Sequence, residues 1–263
     1  MKRRKRVKKD RSKRGKGIYV LPNLLTSFNL FFGFYATVAA VNQKFKVAAG
    51  AILLGVVFDI LDGKVARATR TTSKFGLEYD SLADLMTFGL APGLMIYLWA
   101  LQPLGRIGWL AAFLFLACGA LRLARFNAQS QSGASHFTGL PIPAAAAMSA
   151  STVLLFHRIG VAPYPVAMLL LLYFLAFLMV STIPFKSFKQ VELFRRMKFN
   201  VLVAAILMMM FIAALPSIAL FTIGAAYILS GLISALRTQM KPKPDDSNVS
   251  AEEDEEALPV HQK

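Results

Sequence analysis

Residues 59–84 read DILDGKVARATRTTSKFGLEYDSLAD and hold five of the six acidic residues between positions 17 and 240. Those five are Asp59, Asp62, Glu78, Asp80 and Asp84; the sixth is Glu192. Asp59 and Asp62 lie three positions apart and Asp80 and Asp84 four apart, so on helices each pair shares one face. Two consecutive antiparallel helices would bring the pairs together at one end. Four converging carboxylates repel, and near a bilayer they are poorly hydrated: an Asp at the centre of a membrane helix costs about 2.5 kcal/mol or more, an upper guide for a shallower site. Bound divalent cations or protonation would relieve this. An all-carboxylate set with no His or Cys nearby suits a hard ion such as Mg²⁺, Mn²⁺ or Ca²⁺ rather than zinc. The plainer alternative is a set of interfacial carboxylates paired with Lys64, Arg67, Arg70 and Lys74. It leaves unexplained why acids are missing from every other loop except that of Glu192.

The small residues of the same stretch add to the metal reading. Gly63 directly follows the first pair and Gly76 precedes Asp80 by four; without a Cβ, either permits close approach of a ligand or a neighbouring helix. Arg67 stands one turn beyond Gly63, with the small Ala66 beside it, where it could pair with phosphate oxygens. Because Mg²⁺ is commonly held by carboxylates together with substrate phosphates, the window points to metal-assisted chemistry on a phosphate-bearing substrate at a membrane surface.

The elements that must position these groups are membrane helices. Of 263 residues, 56% are hydrophobic and 17% charged, against nearer 45–50% and about 25% for soluble domains. Apolar runs of spanning length are expected at about 24–42, 45–61, 80–100, 107–125, 140–156, 163–183, 199–215 and 217–236. The fifth is the least hydrophobic, but its small residues suit close helix packing. The expected class is therefore an all-α polytopic membrane protein with about eight transmembrane helices. The first run is too long for a cleaved signal peptide and leads into further spans. Cys118 is the single cysteine, which excludes a disulfide framework within one chain.

Charge sets the orientation. With the amino terminus inside, 26 of the 30 Lys and Arg residues fall on the cytoplasmic side, leaving Lys44, Lys46, Arg106 and Arg158 outside. Both termini and the acidic window then face the cytoplasm. Residues 1–17 form a basic tail, with eleven Lys/Arg between positions 2 and 16. Beside a membrane span its expected role is topology setting and attraction to anionic lipid, not nucleic-acid binding. Residues 18–240 make the transmembrane catalytic domain, and the acidic, Pro-containing residues 241–263 a disordered cytoplasmic tail.

The spacing Asp59-x₂-Asp62-Gly63-x₂-Ala66-Arg67-x₈-Gly76-x₃-Asp80-x₃-Asp84 resembles, at every fixed position, the signature of the CDP-alcohol phosphotransferases. The resemblance implies transfer of a phosphatidyl or phosphoalcohol group from a CDP-linked donor to a hydroxyl, with release of CMP. It implies divalent metal, Mg²⁺ or Mn²⁺, on Asp59, Asp62 and Asp80. Asp84 would be the general base and a further contact to metal, and Gly63, Ala66, Arg67 and Gly76 would line the CDP region. Such roles agree with physical expectation: metal ions stabilise attacking and leaving oxygens, and a positioned carboxylate accepts the alcohol proton.

Further stretches, among them YVLPNLLTSFNLFFGF, SLADLMTFGLAP, GALRLARFN, FTGLPIPAAA and MVSTIPFKSFK, are similar to membrane-type CDP-diacylglycerol–serine O-phosphatidyltransferases. What this implies is CDP-diacylglycerol and L-serine as substrates, lipid tails entering sideways between helices, and a homodimer. Arg122 and Arg125 lie three apart near the end of the fourth run, where a guanidinium fork could take the serine carboxylate. They could equally mark the membrane boundary or pair with lipid phosphates. Asn127, Asn23, Asn29 and Thr138 are weaker candidates. The scattered His136, His157 and His261 are not expected to act in catalysis, and Met208, Met209 and Met210 read as packing or lipid-facing residues. Rival readings are the same chemistry on glycerol 3-phosphate, inositol phosphate or another alcohol, and a cation transporter. A transporter would place acids near the bilayer centre on several helices.

Overall fold

The computed structural model describes residues 20–69, 73–131, 139–183, 210 and 214–239, and over these the chain is helical, without strands. Among the described residues the long elements are α1 (Val20–Val41), α2 (Phe45–Thr69), α3 (Lys74–Leu104), α4 (Arg106–Gln131), α5 (Ile142–Ile159), α6 (Pro165–Val180) and α7 (Pro216–Gln239). Among the described residues, five helical stretches are long and apolar enough to cross a membrane: Leu21–Val41, Lys74–Leu104, Arg106–Gln129, Ile142–Ile159 and Pro216–Leu236. The expected count of about eight is not confirmed by these five. The run at 199–215 lies almost wholly outside the described residues. Helix α6 is apolar but only 16 residues long. Helix α2, at 25 residues about 37 Å long, fails on charge, since it carries Lys46 at one end and Asp59, Asp62, Lys64 and Arg67 at the other.

Local chemistry sets the helix ends. Ser73 caps α3 by accepting a hydrogen bond from the Gly76 N–H at 2.9 Å. Proline occupies the first turn of both α5 and α6, where its missing N–H costs nothing. Gly160 ends α5 in the left-handed region at φ 69°. Helix α3 is one run interrupted by two π-helical turns, Leu85–Leu90 and Tyr97–Leu101. The first begins immediately after Asp84. Such turns re-aim the faces on either side of them and recur at functional sites.

Helices α1, α2 and α3 form the closest junction. Residues Pro22, Thr26, Asn29, Gly33, Ala36 and Ala40 make a buried stripe along α1, spaced alternately by four and three as a helix–helix seam requires. It faces Ala48, Ala49, Ala51, Ile52 and Gly55 of α2. In lipid, small residues of this kind let backbones approach for dispersion contacts. Thr87 of α3 wedges into the seam. Its Oγ1 donates to the Asn29 carbonyl at 2.9 Å, and a Cβ built on Gly33 would collide with Thr87 Oγ1 and come within 2.7 Å of Thr87 Cα. Helix α5 packs on α2 and on α7, and its small residues Ala145, Ala146, Ser149 and Ala150 are buried, as suits close helix packing. On the outside, Phe31, Phe34, Phe113 and Phe177 are more than half exposed, as expected of lipid-facing residues.

That junction is testable. Gly33→Ala places a methyl against backbone that cannot withdraw, and is expected to lower the thermal-unfolding midpoint in detergent by roughly 5 °C. Gly50→Ala, with nothing within 4 Å of the added Cβ, should leave the midpoint unchanged or raise it slightly.

Candidate active site

Helix α2 runs past its apolar stretch and carries Asp59 and Asp62 to the end of the bundle, where α3 begins and presents Asp80 and Asp84. Asp59, Asp62 and Asp80 each offer one carboxylate oxygen, and the three oxygens lie within 4.8 Å of one another. Asp62 is 4% exposed and Asp84 7%. Three of the four expected carboxylates thus form one oxygen cluster. The fourth, Asp84, stands one turn deeper along α3 and outside that cluster.

Helix α1 supplies the hydrogen bonds that hold this arrangement. The Thr26 hydroxyl donates to Asp62 Oδ2 at 3.0 Å and also lies 3.2 Å from the Pro22 carbonyl. The Asn29 carboxamide donates through Nδ2 to Asp84 Oδ1 at 3.0 Å. Asp80 Oδ1 is buried without a partner, which is costly unless something outside the protein satisfies it. An all-oxygen cluster containing such an orphan fits a hard divalent cation. The donor set contains no nitrogen or sulfur that would favour zinc.

The other expected site residues are distributed around this centre. A Cβ on Gly63 would meet only the Arg67 guanidinium, at 3.4 Å from Nη1, so Arg67 folds back along its own helix. It is exposed and attracts both Asp59 and Asp62. Ala66 is half-buried beside it. At Gly76 a Cβ would come 3.1 Å from Ser73 Oγ and 3.5 Å from Asn23 Oδ1, so the approach this glycine permits is that of its own cap and of α1.

Arg122 and Arg125 have different surroundings. Arg122 has its Nε buried without a partner, within electrostatic range of Asp84 and of Tyr227 on α7. Arg125 donates to the Val180 carbonyl at 3.1 Å and the Ser181 carbonyl at 3.2 Å, fastening α4 to the end of α6. The same knot takes in Gly139, at φ 85°, whose N–H donates to Ile183. Asn127 donates to Ser81 Oγ at 2.9 Å, leaving its own Oδ1 buried and unpartnered. It borders a cavity of about 240 Å³ between α3 and α4. The α3 residues there are Glu78, Ser81, Leu82 and Leu85. Thr138, Arg70 and His136 lie outside the described residues.

Sequence reasoning missed Thr26 and Thr87, and it weighed Asn29 only as a possible serine contact. The available signal was periodicity: Thr26, Asn29 and Gly33 interrupt an apolar helix at seam spacing.

Comparison with known proteins agrees with this geometry. The family model described as CDP-alcohol phosphatidyltransferase matches residues 19–180, which include all four aspartates and the α1 residues that hold two of them. A protein of Helicobacter pylori named CDP-diacylglycerol–serine O-phosphatidyltransferase is 37% identical over 227 residues, covering 85% of this chain and 94% of its own length. One of the same name from Bacillus subtilis is 36% identical over 170 residues, 65% of this chain and 92% of its own. An archaetidylserine synthase of Methanothermobacter thermautotrophicus is 41% identical over 128 residues, 48% of this chain and 54% of its own. With the matched stretch running from α1 to the end of α6 and the signature carboxylates gathered at one end of the bundle, the chain belongs to the CDP-alcohol phosphatidyltransferase family.

Proposed function

We propose that this chain transfers the phosphatidyl group of CDP-diacylglycerol to the hydroxyl of L-serine, giving phosphatidylserine and CMP. The observation that carries the chemistry is the oxygen cluster of Asp59, Asp62 and Asp80 with Asp84 one turn away. Support for serine as the acceptor comes from the names of the relatives, bacterial and archaeal, which share serine as their common element.

Asp59, Asp62 and Asp80 would hold Mg²⁺ or Mn²⁺, which when bound offsets the clustered negative charge and stabilises phosphoryl oxygens. The remaining steps belong to the chain's own residues. With Asp84 Oδ1 engaged by Asn29, Oδ2 is the oxygen that takes the proton of the serine hydroxyl. The serine oxygen then bonds to the phosphorus bearing diacylglycerol, and the bond from that phosphorus to the CMP oxygen breaks. Gly63, Ala66, Arg67 and Gly76 border the nucleotide, with Arg67 free to swing onto phosphate. Of the two arginines, Arg122 is the better placed for the serine carboxylate, because Arg125 already spends two N–H groups on α6. The catalytic unit is residues 18–240 in the cytoplasmic membrane, as a homodimer, with site and termini facing the cytoplasm.

The test is CMP release by purified protein from CDP-diacylglycerol with Mn²⁺ or Mg²⁺, with each acceptor offered in turn. Release that depends on L-serine, with phosphatidylserine as product, is the expected outcome. Arg122→Ala should raise the KM for serine about ten-fold or more while leaving that for CDP-diacylglycerol within about two-fold. Release only with glycerol 3-phosphate or inositol phosphate would keep the chemistry and replace the acceptor.

A further inference from the structure

We infer that Asn29 of α1 is a positioning residue for the transfer reaction and acts through Asp84. This rests on the reading of Asp84 as the general base. The Asn29 side chain is fully buried and makes one hydrogen bond with a clear chemical object, Nδ2 to Asp84 Oδ1 at 3.0 Å. Its backbone is pinned independently, since the Asn29 carbonyl accepts from Thr87 Oγ1 at 2.9 Å. Thr87 sits in turn where Gly33 and Gly55 lack side chains. The carboxamide therefore has little freedom to move, and neither does the carboxylate it holds.

The unpartnered oxygen supports the same reading. Asn29 Oδ1 is buried without a hydrogen bond, facing the space above Gly55, where a Cβ would lie 3.2 Å from it. Turning the amide over would take Nδ2 away from Asp84 and set Oδ1 against the Asp84 carboxylate, two acceptors facing each other. Asp84 is thus what selects the amide's orientation. A residue kept only for packing would have no reason to be an amide here, since an apolar side chain would fill the seam without an orphaned acceptor. Contact with substrate is not its role, as it is enclosed by α1, α2 and α3.

The experiment is steady-state kinetics of serine-dependent CMP release by the full-length protein in detergent, for Asn29→Ala, Asp84→Asn and the double variant. Asn29→Ala is expected to lower kcat about ten-fold or more while both KM values stay within about two-fold, as for a misaimed reacting group. The double variant should be no slower than Asp84→Asn alone. If Asn29→Ala slows the Asp84→Asn protein by the same factor as the wild type, the two act independently and the inference is wrong. A raised KM with kcat preserved would also overturn it, by making Asn29 a ligand contact. Because Asn29→Ala opens a cavity, Asn29→Asp is run beside it. It keeps the shape but sets a second carboxylate against Asp84, and a normal kcat in that variant sinks the idea. The two readings fail differently. An Asp84→Asn protein as fast as wild type removes the base and Asn29's role together, whereas an inactive Asp84→Asn beside a normal Asn29→Ala removes only the latter.

Discussion

Asp84→Asn is expected to lower kcat for CMP release by about 10²- to 10⁴-fold, the usual contribution of a positioned general base, while the protein stays folded. The substitution keeps the shape of the side chain and keeps an oxygen that can accept from Asn29 Nδ2, so the α1–α3 contact survives. It also removes a charge from a site only 7% exposed, where the carboxylates of Asp59 and Asp80 repel it. A thermal midpoint equal to or above that of wild type, with kcat reduced by two orders of magnitude, would separate chemistry from folding. A variant that retains more than about one third of wild-type kcat would move the base elsewhere in the site.

Removal of divalent metal is expected to be as severe. EDTA should abolish activity, and excess Mn²⁺ or Mg²⁺ should restore it. The sharper form of this prediction concerns Asp80, whose Oδ1 has no partner among the described residues. Asp80→Asn should raise the Mn²⁺ concentration for half-maximal activity by more than about ten-fold, since a ligand matters at least as much as the outer-shell partners whose loss costs 10- to 100-fold. A readout independent of turnover is available. An ion that binds only the folded state at about 100 times its dissociation constant adds about 2.7 kcal/mol of stability. Mn²⁺ should therefore raise the thermal midpoint of the wild type and shift that of Asp80→Asn much less. Equal shifts in both would place the ion away from Asp80.

The carboxylate pairs and their convergence were legible in the sequence because helix periodicity is local. Residues three or four apart share a face whatever surrounds them, and consecutive spans must be near neighbours. Element ends were less legible. Hydropathy reports where apolar residues stop, whereas a helix stops where its backbone finds other partners. Thus α2 continues through Asp59, Asp62 and Arg67 to Thr69, and α3 begins at Lys74 because Ser73 caps it, not at residue 80 where the apolar run starts. Composition misjudges α2 in the same way: it is 25 residues long, but Asp59, Asp62 and Lys64 keep it out of the spans recognised by apolar content.

What could not be read was the choice of partner between helices. Asn29 and Thr26 are visible as polar residues in an apolar span, but which carboxylate each meets depends on the register of α1 against α2 and α3. Thr87 seated between Gly33 and Gly55 sets that register. Arg122 and Arg125 make the same point: three apart, they read as one fork for one carboxylate. In the fold, Arg125 reaches the Val180 and Ser181 carbonyls while Arg122 lies within electrostatic range of Asp84. A guanidinium satisfies an anion or a carbonyl with the same N–H groups, so spacing alone does not distinguish the two uses.

Helix α1 leaves the ribosome before either carboxylate-bearing helix, and it carries the donors for the two most buried carboxylates, those of Asp62 and Asp84. The α1–α2 hairpin closes through a short turn at Asn42 and Gln43, and in it Thr26 stands opposite Asp62. Asp84 meets Asn29 only when α3 follows and Thr87 seats itself. Each of these charges thus has its donor on a helix that precedes it in the chain, so the donor is made before the charge it serves.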